Sequence, residues 1–189
     1  MTNNQYDEYI RCQVDKKYFI ENYVKIHNID EGIVPLIPNE FQEQLIKDFS
    51  TNRHTIRYAD RCEGKTTIAA ALFLHMICFE HDRTGVIIGF RNDAAAEILR
   101  IVLSAWNELP EWIRPNVVKQ NRTILEFNNG IQIMSFGAGS DGWRGRGISF
   151  LFIDEFQCFQ TRDLLRIKDC LLPTVMSGNT TRILMLSSR

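Results

Sequence analysis

Apolar residues follow two rhythms along this chain. Thr84 to Phe90 (TGVIIGF), Phe150 to Ile153 (FLFI) and Thr181 to Leu186 (TRILML) are nearly continuous apolar runs. A run that leaves no polar face for water predicts a strand covered on both sides, as in a parallel sheet. Other segments carry apolar residues at helical spacing. Lys17 to Ile29 places Phe19, Ile20, Tyr23, Val24 and Ile26 on such a face, and Asn92 to Leu109 places Ile98, Ile101, Val102, Leu103 and Trp106. Asn39 reads as the N-cap of a helix carrying Phe41, Leu45, Ile46 and Phe49. Thr67 to Phe79 (TIAAALFLHMICF) is apolar almost throughout, which suits a buried helix, and the β-prone His54 to Tyr58 precedes it. Thr123 to Phe127 and Ile131 to Phe136 alternate around Asn128-Asn129-Gly130, the pattern of a β-hairpin. A further helix is expected near residues 162–171.

Between these segments lie a turn-rich link (Asp30 to Pro38), a short helical turn around Trp112 bracketed by Pro110 and Pro115, and a glycine-rich loop at 137–147 (GAGSDGWRGRG). Residues 1–12 are polar and expected to be disordered. Strands alternating with helices predict an α/β fold, with a mainly parallel central sheet flanked by helices plus a β-hairpin.

Composition adds bounds. A length of 189 residues suits one α/β domain with a sizeable core. The net charge of −1 makes no global electrostatic case for nucleic acid, so any such contact must be local. Arg162, Arg166 and Lys168 have helical spacing, and a solvated helix face accounts for them before a DNA-binding face does. The five cysteines show no C-x-x-C spacing, which points to a reducing compartment without disulfides or zinc, and the four histidines form no H-E-x-x-H. The first twenty residues are polar and charged, unlike a secretory signal. The longest apolar stretch, about residues 67–79, falls short of the ~20 residues a bilayer needs.

Two segments carry candidate chemistry. The first is Ala59-Asp60-Arg61-Cys62-Glu63-Gly64-Lys65-Thr66-Thr67, between a strand and a helix. This is the place and the residue set of a phosphate loop. Backbone N–H groups wrap phosphates there, the Lys reaches the terminal phosphates, and the hydroxyl of the Ser/Thr holds Mg²⁺. Lys65 and Thr66 would take these parts, Gly64 would let the backbone approach closely, and Arg61 would add a second cation. Ala59 stands where the usual pattern has its first glycine. The second segment is Ile148-Ser149-Phe150-Leu151-Phe152-Ile153-Asp154-Glu155-Phe156, two acids at the end of an apolar run. Carboxylates there are costly without a compensating ion. Asp154 would hold Mg²⁺ and Glu155 would polarise the water that attacks the γ-phosphate. Each segment alone is a weak signal, a bare helix start or a solvated acid pair. Their joint presence in this order points to nucleoside-triphosphate hydrolysis.

With these residues in hand, the chain resembles the ATPase domain of the large terminase subunit, the DNA-packaging motor of tailed bacteriophages and herpesviruses, in its T4-like form. The A-x-R-x-x-G-K-T loop, Leu151 to Phe156, the hairpin before it, Asp141-Gly142-Trp143-Arg144-Gly145, Glu31 to Pro35 and Glu40-Phe41-Gln42 carry the likeness, which runs from about Phe19 onward. The resemblance implies a P-loop NTPase of the ASCE type, with Thr181 to Leu186 between the P-loop strand and the acidic strand. It implies an N-terminal helical segment and linker at 1–38. It also implies an ATPase core at 39–189 that ends before the C-terminal part of the ATPase and the nuclease domain, so nuclease activity is not expected. ATP and Mg²⁺ are the implied cofactors. Arg61, Gly64, Lys65, Thr66 and Thr67 bind the nucleotide, Thr66 and Asp154 the metal, and Phe41 and Gln42 the adenine. A plain surface glutamine is nearly as good an account of Gln42. Glu155, Arg61 and Arg144 are the implied catalytic residues, Arg144 acting in trans in a ring. Arg146 competes for that role, and a flexible basic loop is the alternative for both.

Double-stranded viral DNA, a portal protein, a small terminase subunit and copies of the chain itself are the implied partners, with no membrane. The implied place is the cytoplasm of the infected bacterial host, docked on the procapsid portal during packaging and absent from the mature virion. Two other readings stand beside this one. A superfamily 2 helicase-like translocase usually has D-E-x-[HD], against which Phe156-Gln157 counts. A truncated nucleotide-binding piece would bind without turnover.

Overall fold

The computed structural model of the chain describes residues 2–188. Helix α1 (Asn3–Val14) opens on a reciprocal cap between Thr2 and Gln5. The expected disorder over residues 1–12 is therefore corrected for all but Met1, which lies outside the described residues. The helix is tied down from its polar side chains. Tyr9 Oη donates to the Cys78 carbonyl at 3.0 Å, and Glu8 accepts from Tyr18 and Tyr23 hydroxyls, both at 2.8 Å.

Helix α2 (Lys16–Tyr23) stops well short of Ile29. The β-branched Val24 and Ile26 lead instead into β1 (Lys25–Asn28), which pairs antiparallel with β2 (Gly32–Pro35). The expected link is thus a small hairpin, and Gly32 supplies the positive φ of 77° that its turn requires.

Helix α3 (Glu40–Thr51) is capped by Asn39 as predicted, and β3 (His54–Ala59), α4 (Lys65–Phe79), β4 (Thr84–Gly89) and α5 (Asn92–Asn107) follow. Strand β5 (Val117–Gln120) has no sequence signal beyond two valines after Pro115. It exists because it pairs with β6 (Ile124–Phe127), which in turn forms the predicted hairpin with β7 (Gln132–Gly137). Then come β8 (Phe150–Asp154), a 3₁₀ turn, α6 (Thr161–Arg166), α7 (Leu172–Met176) and β9 (Arg182–Ser188). Residues Ile167–Leu171 join α6 to α7 at π spacing just before Pro173, whose ring and missing N–H do not fit an ordinary α turn.

Seven strands among the described residues form the central sheet, in the order β3-β9-β8-β4-β7-β6-β5. Pairing is parallel from β3 to β7 and antiparallel beyond. Alternation along the strands divides the core in two. Ile87, Ile133, Phe150, Phe152, Leu184 and Leu186 face the side covered by α1 to α5. Val86, Ile88, Met134, Leu151, Ile153 and Ile183 face the side that also holds Ile167, Leu171 and Val175. Phe73 of α4 stacks on Phe150 with centroids 4.2 Å apart, and Gly85 of β4 leaves room for it, since a Cβ there would lie 2.7 Å from the Phe73 ring. Among the described residues no helix is long and apolar enough to cross a membrane.

Candidate functional site

Three parallel strands end side by side, the place where open α/β sheets hold ligands. Ala59 of β3 is in register with Ser188 of β9, and Asp154 of β8 with Leu186. The loop after β3 turns at once into α4, so the unpaired N–H groups of the first helical turn stand over the strand ends. Gly64 caps that helix in the left-handed region, at φ 69°. That conformation strains any L side chain, and a Cβ at Gly64 would also displace Gln42 Nε2. Ala59 needs no such freedom. It is the last residue of β3, buried, and its methyl group fits where the usual loop has glycine. Inside the loop, Asp60 N–H donates to Glu63 Oε2 at 2.7 Å, which turns that acid onto the backbone.

Lys65 is 7% exposed. Its ammonium donates to the Asp60 carbonyl at 3.2 Å and to Ser188 Oγ at 3.0 Å, and lies 3.7 Å from Glu155 Oε1. Thr66 Oγ1 donates to Asp154 Oδ2 at 3.4 Å, while Asp154 Oδ1 is buried with no hydrogen-bond partner. Burial pushes the Asp154 pKa up to about 6, the neighbouring Glu155 adds to the rise, and Thr66 and Lys65 only partly oppose it. A buried carboxylate with one orphaned oxygen beside a threonine hydroxyl fits a divalent cation. Among the described residues no three His, Cys, Asp or Glu side chains cluster to hold a metal alone. An ion here would need further oxygens from phosphate, the usual habit of Mg²⁺.

Glu155 sits in the left-handed region at φ 50°, its N–H donating to the Leu186 carbonyl at 2.9 Å. Its carboxylate accepts from Ser188 Oγ at 2.7 Å, from Ser188 N–H at 2.9 Å and from Gln157 Nε2. Burial raises its pKa, but the hydrogen bonds from Gln157 and Ser188 and the charge of Lys65 outweigh it, and the net shift is downward. Two adjacent acids are thus driven apart, Asp154 up and Glu155 down.

Arg61, Gly64, Lys65, Thr66, Thr67 and Glu155 line one cleft of about 460 Å³, with Cys62, Gln157, Cys158 and Ser188. Ser188 and Gln157 escaped the sequence reading as site residues. The signal available was their position, one at the end of an apolar strand and one two residues past the acid pair. Phe41 and Gln42 do not line the cleft. Phe41 is half-buried against the core, and Gln42, 5% exposed, is wedged beneath the loop rather than lying on an open surface. Arg144 lies outside the cleft on the glycine-rich loop, ion-paired with Asp141 at 2.8 Å, and Arg146 donates to the Gly142 carbonyl at 3.1 Å. Trp143 between them is buried in the second core. Arg162, Arg166 and Lys168 do not share one uninterrupted α-helix, because the π segment begins at Ile167. Arg166 is turned onto the Gly139 carbonyl at 2.7 Å.

The fold has counterparts among known proteins. A family model for the N-terminal part of the T4-like virus large terminase subunit matches residues 61–181. The crystal structure of the HK97 bacteriophage large terminase is similar at a TM-score of 0.75 and 15% identity, over 93% of this chain and 37% of that one. The large terminase ATPase domain of Thermus phage P74-26 is similar at 0.68 and 19%, over 80% of this chain and 64% of that one. The large terminase of another thermophilic bacteriophage, in complex with ATP-γ-S, is similar at 0.57 and 11%, over 80% of this chain and 38% of that one. At these identities the likeness is one of fold, and the chain spans less than two thirds of each of these structures.

Proposed function

The chain belongs to the N-terminal large terminase family of T4-like viruses, and from that premise we propose that it is an ATP-hydrolysing motor domain that moves double-stranded viral DNA into a procapsid. One observation carries the reading. Lys65 and Thr66 of the loop line a single cleft with Glu155 of the acidic strand, and Asp154, next to it and bonded to Thr66, keeps a buried, unpaired oxygen. The ATP-γ-S complex of the thermophilic phage terminase supports the choice of ligand.

Lys65 and the N–H groups at the start of α4 hold the phosphates, with Arg61 and Thr67 at the rim of the cleft. Mg²⁺, on Thr66 and Asp154, would neutralise charge developing on the phosphate oxygens. Glu155, kept ionised, takes a proton from the attacking water. Arg144 is exposed and free to reach a neighbouring copy once its pair with Asp141 opens. The fuller assignment follows from the family. It comprises a homo-oligomeric ring, a portal protein and a small terminase subunit as partners, and action in the cytoplasm of the infected host on the procapsid portal. It also divides the chain into an N-terminal segment at 1–38 and an ATPase core at 39–189.

A second reading, nucleotide binding without turnover, has one observation in its favour. Both carboxylate oxygens of Glu155 are already engaged by Ser188 and Gln157. Mg²⁺-dependent ATP hydrolysis across a concentration series, beside Glu155→Gln, separates the two. The motor reading expects turnover that rises more than linearly with concentration and falls by about 10²–10⁴ in the variant, with ATP still bound. Equal turnover in the variant would refute the role of Glu155. Binding with no turnover in the parent chain would favour the second reading.

A further inference from the structure

The helix before the phosphate loop is capped by two amide side chains. In the reciprocal cap of α3, Asn39 Oδ1 accepts the Gln42 N–H at 2.9 Å and Gln42 Oε1 accepts the Asn39 N–H at 3.1 Å. Ser or Thr with Glu would make the same two bonds. Only an amide at both positions leaves an NH₂ group over at each, and both groups are used on the loop. Asn39 Nδ2 donates to the Glu63 carbonyl at 3.4 Å, and Gln42 Nε2 donates to the Gly64 carbonyl at 3.2 Å. All hydrogen-bonding ends of the Gln42 side chain therefore point at backbone.

A trans peptide is planar, with its C=O and N–H on opposite sides. Holding the Glu63 carbonyl toward α3 turns the Gly64 N–H the other way. The Gly64 carbonyl also accepts the Ile68 N–H at 3.1 Å as the first bond of α4, and Gln42 adds a second hold that turns the Lys65 N–H the same way. Gly64 and Lys65 line the cleft, whereas Asn39 and Gln42 do not. We infer that Asn39 and Gln42 are positioning residues for the phosphate loop, a brace that sets two backbone N–H groups toward the phosphates and commits both polar atoms of Gln42 to backbone rather than to a base. This deepens the proposed function and rests on the cleft being a phosphate site.

Asn39→Ser and Gln42→Met test it. Both replacements are uncharged, so neither repels phosphate. Serine still caps α3, and methionine keeps the length of the side chain that fills the space beside Gly64. Melting temperature and exchange over β4 and over α4 beyond Ile68 report whether either variant has lost the fold, and the two variants stand in for one another. The first readout needs no ligand. Amide hydrogen exchange at Asp60 and Ile68, whose N–H groups are bonded to Glu63 and to the Gly64 carbonyl, should quicken about three- to tenfold in each variant, the worth of about one hydrogen bond. The second is binding of ATP and of inorganic tripolyphosphate with Mg²⁺. Both should weaken by a common factor of about three to ten. Unchanged exchange in both variants overturns the brace. So does a loss confined to ATP, which would make Gln42 a base reader. A parent chain that binds neither compound refutes the phosphate site itself, and the exchange comparison still decides the brace.

Discussion

Asp154 is held where it destabilises the protein, and the cost can be measured. Its pKa rises from 3.8 to about 6, first through burial and then through Glu155. Between those values the native state keeps a proton that the unfolded chain has released, so stability falls as pH rises and the loss is complete above about pH 6. A rise of about 2 units corresponds to about 3 kcal/mol. Asp154→Asn removes the titration and keeps the shape. Without metal or nucleotide, the stability difference between Asp154→Asn and the parent should therefore widen by up to about 3 kcal/mol from pH 4 to pH 7. For a chain of this size that is about 6–12 °C in melting temperature. The assay is thermal or urea unfolding of both proteins in a chelating buffer at unit pH steps. The parent should gain stability from added Mg²⁺ and ATP, and the variant should not. A difference that stays constant from pH 4 to pH 7 would refute the placement of a buried, only partly compensated charge at this position.

Three further outcomes are expected. Burial, aided by Lys16, pushes the His75 pKa down from 6.5 to about 3, so the unfolded chain takes up a proton that the native state refuses and stability falls as pH drops below about 6.5; His75→Gln should flatten that fall in an acid titration followed by circular dichroism, and an equally steep fall would place the sensitivity elsewhere. Gly130 has φ +79°, and a Cβ there would collide with Asp82 Oδ1 and lie 3.2 Å from Asp82 Cα. Gly130→Ala should lower stability by about 1–2 kcal/mol in urea, since an L side chain is strained in that region even without the clash; an unchanged midpoint would count against this turn. Arg144→Ala should leave ATP affinity unchanged but cost about 10³–10⁵ in turnover and abolish the steeper-than-linear concentration dependence, if Arg144 acts in trans; loss of affinity instead would make it a local binding residue.

Much of the fold was legible because burial on both faces of a parallel strand leaves a continuous apolar run. The runs at Thr84, Phe150 and Thr181 became β4, β8 and β9, and the Asn-Asn-Gly turn became the β6–β7 hairpin. The elements that were missed owe their existence to partners. β1 and β2 are short strands that make sense only as a pair, β5 only beside β6, and α1 is held by tyrosine hydroxyls from α1 and α2 and by a carbonyl of α4. No local pattern encodes such contacts.

The same division runs through the site. Lys65, Thr66, Asp154 and Glu155 were named by the amino-acid sequence alone, because a loop that wraps phosphate and a strand that ends in acids are local chemical patterns. The meeting of Lys65, Thr66 and Glu155 in one cleft with Asp154 bonded to Thr66, the part of Ser188 between Lys65 and Glu155, and the posture of Gln42 beneath the loop came only with the tertiary structure. Ser188 is 123 residues from Lys65, and only the parallel register of β3 on β9 brings them within 3.0 Å. Residue type sets which bonds a side chain can make, and packing decides which of those bonds are taken.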